Sequence, residues 1–98
     1  MAKRTRPLPY PIEFTPAAAR QLRKLTPEVR KRVSARIDAL ASDPRPAGTE
    51  KLEGEDGLYR VRAGDYRIVY TVLDDVVLVV IVKIGHRADI YKALRRRR

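Results

Sequence analysis

The dipeptide Gly64-Asp65 constrains this chain more than any other feature, because both of its flanks read as strand. Residues 58–63 and 66–73 are rich in Val, Ile and Tyr, and Gly-Asp is a favoured two-residue hairpin connection. A two-residue loop dictates the pairing. Ala63 faces Tyr66, Arg62 faces Arg67, Val61 faces Ile68 and Arg60 faces Val69. Side chains alternate along a strand, so Arg60, Arg62 and Arg67 share one face. Tyr59, Val61, Tyr66, Ile68 and Tyr70 share the other, which is the natural partner for a helical layer.

Setting Arg62 against Arg67 needs a reason, since like charges directly opposite one another destabilise a hairpin. Two explanations stand open. The guanidinium groups splay into water or pair with Asp65, Asp89 or the acidic segment upstream, their stems covering apolar surface. Alternatively they form a built anion site, because guanidinium matches phosphate oxygens in bidentate geometry.

The rest of the chain supplies that helical layer. Thr15-Pro16 and Thr26-Pro27 each read as an N-cap followed by proline at the first helical position. They predict helices over 16–25, with Ala18, Leu22 and Leu25 on one stripe, and over 27–41. In the second, Val29, Val33, Ile37 and Leu40 recur at helical spacing, and Asp43-Pro44 and Pro46 end it. A short strand is expected at 12–14 and a third long one at 76–84, after the weaker turn signal Asp74-Asp75. That last strand is apolar on both faces and is placed centrally. The predicted class is α+β: an antiparallel helical pair on one face of a small, mainly antiparallel four-stranded sheet, in the order strand, helix, helix, strand, strand, strand. A basic, proline-rich arm (1–11) precedes this single domain (12–94), and a run of arginines (95–98) follows it as a solvated tail.

Composition narrows the chemistry. There are 98 residues, no cysteine and one histidine, His86, with 22 Lys and Arg against 12 Asp and Glu, a net charge of +10. Disulfides, thiol catalysis and multi-histidine metal sites are excluded, and a polyanionic partner is expected. Glu50, Glu53, Glu55 and Asp56 match no calcium-loop spacing and read as a solvated connector, so neither metal nor cofactor is expected. The longest apolar run, 76–82, is far too short to span a membrane, and the basic N-terminus is not followed by a signal-peptide pattern. A cytoplasmic location is expected. After the last strand, Gly85 suits a bend, and His86, Arg87 and Tyr91 place a titratable ring, a fixed cation and a phenol close together. Alone, His86 beside Arg87 reads as bland surface, and Tyr91 reads equally as packing or chemistry.

The stretch from Leu58 to Tyr70, then Asp74-Asp75, then Gly85-His86-Arg87-Ala88-Asp89-Ile90-Tyr91, resembles the RelE toxin family. The helical pair and Lys51-Leu52 fit the same layout, and the likeness covers about residues 12–92. The resemblance implies a ribosome-dependent endoribonuclease that cuts mRNA in the A site. It also implies an acidic, helical antitoxin encoded alongside, with operator DNA bound only through the toxin–antitoxin complex. Residue by residue, Arg67 matches the family's phosphate-binding arginine. Arg87 matches an arginine that stabilises the leaving group or transition state, and Tyr91 a tyrosine that stacks on the RNA base. Arg60 and Arg62 stand where the family has lysines, and Arg62 can fill either of two basic positions because this hairpin is shorter. The implied catalytic set is Arg62, Arg67, Arg87 and Tyr91, with Arg60, Lys51 and His86 contacting RNA. Arginine does not act as a base, so the implied reaction is metal-free attack of the 2′-OH on the adjacent phosphate, driven by electrostatic stabilisation, with His86 as the candidate proton shuttle. Two other readings follow from the same residues: a ParE-like toxin directed at DNA gyrase, and a non-catalytic basic RNA-binding module.

Overall fold

The computed structural model describes residues 9–52 and 57–90. The greater part of the basic arm, Glu53, Glu55, Asp56, Tyr91 and the arginine tail lie outside these residues. The elements run β1 (Ile12–Phe14), α1 (Pro16–Arg23), α2 (Pro27–Ser42), β2 (Glu50–Lys51), β3 (Tyr59–Ala63), β4 (Tyr66–Leu73) and β5 (Leu78–His86). The sheet order is β1-β5-β4-β3-β2; β1 runs parallel to β5 and every other pair is antiparallel. The expected α+β class is what forms, with β5 interior between β1 and β4 and the helices on one face. The sheet gains a fifth strand at its edge, the two-residue β2, from within the stretch read as a connector.

Both helices start as their sequence dictates. The hydroxyls of Thr15 and Thr26 accept from the backbone N–H groups of Ala18 and Val29, and a proline follows each cap. Ala18, Val33, Ile37 and Leu40 bury their stripe against Val61, Ile68, Tyr70, Val72, Val79, Ile81 and Ile84. The hairpin register is the one expected, from Tyr59 opposite Tyr70 to Ala63 opposite Tyr66.

The last strand departs from simple alternation. Tyr70 pairs with Ile81 and Val69 with Lys83, so Val82 is an extra residue, a β-bulge. The bulge shifts side-chain parity, which puts Val79, Ile81 and Ile84 all in the helix-facing core. Its backbone is satisfied from α1: the Thr15 hydroxyl donates to the Val82 carbonyl at 3.0 Å, and Gln21 Oε1 accepts from the Ile84 N–H at 2.7 Å. The same shift turns His86 toward the helix face and Gly85 toward the arginine face. The turn before β5 is longer than Asp74-Asp75 alone, because Val77 has a φ of 55° and strand pairing starts only at Leu78. Beyond β5, residues 87–90 form a helical turn whose Ile90 is buried, packed so closely on Gly85 that a Cβ there would meet the Ile90 side chain at 3.3 Å.

Candidate functional site

The face opposite the helices carries the arginines. Arg60, Arg62 and Arg67 line an open cleft of about 580 Å³, together with Arg36, Gly48, Glu50 and Gly64. Five of those seven residues are charged, and four are arginine. Each is held differently.

Arg67 is only 8 % exposed. Its Nη1 donates to the carbonyls of Gly64 at 3.1 Å and Tyr66 at 3.2 Å, clamping the guanidinium to its own hairpin turn. Gly64 takes a φ of 65°, a conformation that a side chain would strain. Arg62, across the ladder, is exposed and has no ion pair among the described residues. Arg60 is ion-paired with Glu50, its partner across the β2–β3 ladder. The acidic connector thus meets one of the three hairpin arginines. Among the described residues, Asp65 and Asp89 form no ion pair with the others.

Arg36 was not a sequence candidate. It lies on α2, and its Nε donates to the Arg62 carbonyl at 3.0 Å, bringing a helix arginine around the sheet edge to the cleft. Glu50 was read as part of a solvated loop and instead sits in the cleft wall.

The remaining candidates fall elsewhere. The backbone N–H of Arg87 donates to the Asp65 carbonyl at 2.9 Å, which pins the start of the 87–90 turn beside the hairpin loop. The Arg87 side chain is exposed. His86 stacks edge-on against Tyr66, ring centroids 5.7 Å apart, and its Nδ1 accepts from the Ala88 N–H at 3.4 Å. Lys51 pairs with Tyr59 and shares that residue's face, away from the cleft. Tyr91 lies outside the described residues.

A second polar cluster braces the far end of the hairpin. Arg45 donates to Asp74 at 2.7 Å and to the Tyr59 hydroxyl at 3.3 Å, its guanidinium lying over the Tyr59 ring. The Arg45 contact holds the Asp74 carboxyl below its ordinary range, and hydrogen bonding to Asp74 raises Arg45 further above its own. The Tyr70 hydroxyl donates to the Pro44 carbonyl at 2.7 Å, and burial raises its pKa. These bonds hold the segment between α2 and β2 against the sheet, and with it Gly48 and Glu50.

A site made of arginines on a helix-backed antiparallel sheet agrees with what the chain is similar to. The family profile described as ParE toxin of type II toxin-antitoxin system, parDE, matches residues 12–91. Toxin RelG of Mycobacterium tuberculosis is 35% identical over 86 residues, covering 87% of this chain and 99% of that protein. The mRNA interferase toxin RelE of Escherichia coli is 30% identical over 86 residues, covering 84% and 90%. Among solved structures, the toxin–antitoxin complex RelBE2 from M. tuberculosis contains a chain that superposes with a TM-score of 0.74 at 33% identity, over 85% of this chain and 97% of that one. Profile, sequence relatives and fold converge: the chain belongs to the RelE/ParE superfamily of type II toxins, among its RelE-type members.

Proposed function

We propose that this protein is a ribosome-dependent endoribonuclease that cuts mRNA in the A site by attack of a 2′-OH on the adjacent phosphate. One observation carries the reading: Arg60, Arg62 and Arg67 of the hairpin and Arg36 of α2 converge on one cleft. Guanidinium groups preset around a phosphate stabilise the charge that develops in a pentacoordinate transition state, without reorganising as it forms. Arg67, fixed by two carbonyls, is the phosphate anchor, and Arg62, exposed across the ladder, is the second clamp. Arg87 is the cation for the leaving side and Tyr91 the base-stacking group. The reaction as proposed uses no metal or cofactor.

The proposed partners are the ribosome, mRNA and an acidic antitoxin encoded nearby, with operator DNA reached only through the antitoxin complex. The M. tuberculosis relative solved as a toxin–antitoxin complex supports the antitoxin. A cytoplasmic location belongs to the same proposal; among the described residues no helix is long and apolar enough to cross a membrane.

The ParE profile match favours a second reading, a toxin acting on DNA gyrase. Mapping of mRNA 5′ ends after induction in translating cells, beside a gyrase supercoiling assay, separates the two. New ends confined to A-site positions, with supercoiling intact, are expected. Inhibited supercoiling without new mRNA ends establishes the second reading instead.

A further inference from the structure

Arg87, the cation proposed for the leaving side, is held differently from the arginines of the cleft wall. Among the described residues its side chain is exposed and forms no ion pair. The direction of its guanidinium therefore depends on its backbone, and that backbone is tied down on both sides. Its own N–H donates to the Asp65 carbonyl at 2.9 Å. The next N–H, that of Ala88, donates to His86 Nδ1 at 3.4 Å. This second bond closes over Arg87 and restricts the φ and ψ that aim its side chain. The first bond sets Arg87 beside Arg67. The Gly64 and Tyr66 carbonyls hold the Arg67 guanidinium, and the Asp65 carbonyl between them holds Arg87. Three consecutive carbonyls of one turn thus hold both cations.

From this we infer that His86 is a positioning residue, which caps the 87–90 turn and so fixes Arg87 relative to Arg67. The inference rests on the ribonuclease reading above and on the task that reading gives Arg87. The end of β5 suits the role. His86 is the last strand residue and residues 87–90 are helical, which makes it the N-cap. An N-cap side chain accepts from the backbone N–H two or three residues on, usually through an oxygen of Ser, Thr, Asp or Asn. An imidazole nitrogen without a proton accepts in the same way.

The surroundings hold the ring in that position. Tyr66 meets it edge-on, with centroids 5.7 Å apart, and Ile90 anchors the far end of the turn against Gly85. His86 shares the face of Tyr66, its ladder partner, whereas Arg62 and Arg67 project from the other face. The imidazole thus acts from behind the sheet, with the lone pair of Nδ1 taken by the turn.

The test separates the acceptor from the ring. His86→Asn keeps an accepting cap without the ring, and His86→Phe keeps a ring against Tyr66 without the acceptor. His86 is exposed, so neither substitution burdens the core. Both are made in the wild-type chain and in Arg87→Ala. Single-turnover cleavage of mRNA is measured on programmed ribosomes, and amide hydrogen exchange at Ala88 is measured on the protein alone. A cap shifts the equilibrium of its turn by about 2–30-fold. His86→Phe is expected to slow cleavage about 3–10-fold and to speed exchange at Ala88 by a similar factor, with His86→Asn within about twofold of wild type in both. In Arg87→Ala, adding His86→Phe should change the rate by less than about twofold, because the group it positions is gone. His86→Asn as slow as His86→Phe overturns the inference, since that is what proton transfer by the imidazole would give. So does a His86→Phe rate equal to wild type, or a slowing that persists undiminished without Arg87. Unchanged exchange at Ala88 in His86→Phe overturns the cap whatever the cleavage result. A wild-type protein that cuts nothing overturns the ribonuclease reading itself.

Discussion

Removing the Tyr70 hydroxyl tests how the fold holds the cleft wall. Tyr70 is fully buried, and its phenol donates to the Pro44 carbonyl at 2.7 Å, with the Thr49 hydroxyl at 3.5 Å. Tyr70→Phe keeps the ring and leaves no sizeable cavity, so the loss is that of one hydrogen bond. Such a bond is worth about 0.5–1.5 kcal/mol net. Pro44 is half-buried, so its carbonyl can turn partly to water, and the expected loss is about 1 kcal/mol. In a domain of this size that corresponds to roughly 4–8 °C in Tm. Urea unfolding gives the assay, with unchanged m values as the check that both proteins unfold alike. The pH dependence follows from the raised phenol pKa. Tyr70 is neutral in the folded state beyond the ordinary value of 10.0, so its contribution is complete below that value. It is lost as pH climbs through the higher folded value. Wild type should therefore lose its advantage over Tyr70→Phe in strong alkali. An unchanged midpoint, or a loss of about 3 kcal/mol or more as for a core cavity, would refute the reasoning.

Two further substitutions probe the bulge and the brace. Thr15→Ala removes both a helix cap and the donor to the Val82 carbonyl, and should cost about 1–2 kcal/mol in urea unfolding, with Thr15→Ser losing less. Asp74→Asn removes a carboxylate whose folded pKa is depressed by Arg45, so its contribution is present above the ordinary value of 3.8 and lost as pH falls through the folded one. The stability gap between wild type and Asp74→Asn should therefore close on acidification, read from urea midpoints at successive pH values.

How much of this was legible beforehand depended on how local the cause is. The first hairpin could be read residue by residue, because a two-residue loop and strict alternation leave a single register. The helix starts could be read because Thr-Pro acts through neighbouring backbone groups. The bulge at Val82 could not: a strand apolar on both faces reads the same in either parity, and the deciding bonds come from Thr15 and Gln21, far away in sequence. The side of the sheet that His86 takes was hidden for the same reason, since one extra residue turns it to Tyr66. The strand β2 is too short to show alternation, so Glu50 looked like loop. Arg36 joins the cleft only through packing of α2 on β3, which no spacing within the helix reveals. The face shared by Arg60, Arg62 and Arg67 was evident, whereas the burial of Arg67 was not, because its partners are carbonyls of a folded turn.

Arg62 offers the most direct test of the claim that this cleft holds the scissile phosphate. It is exposed and forms no ion pair among the described residues, so its removal leaves the fold unburdened. The measurement is the single-turnover rate of A-site mRNA cleavage by Arg62→Ala on programmed ribosomes, with Tm measured alongside. The account predicts a fall of about 10²-fold or more at unchanged Tm. A variant that cuts as fast as wild type would contradict it.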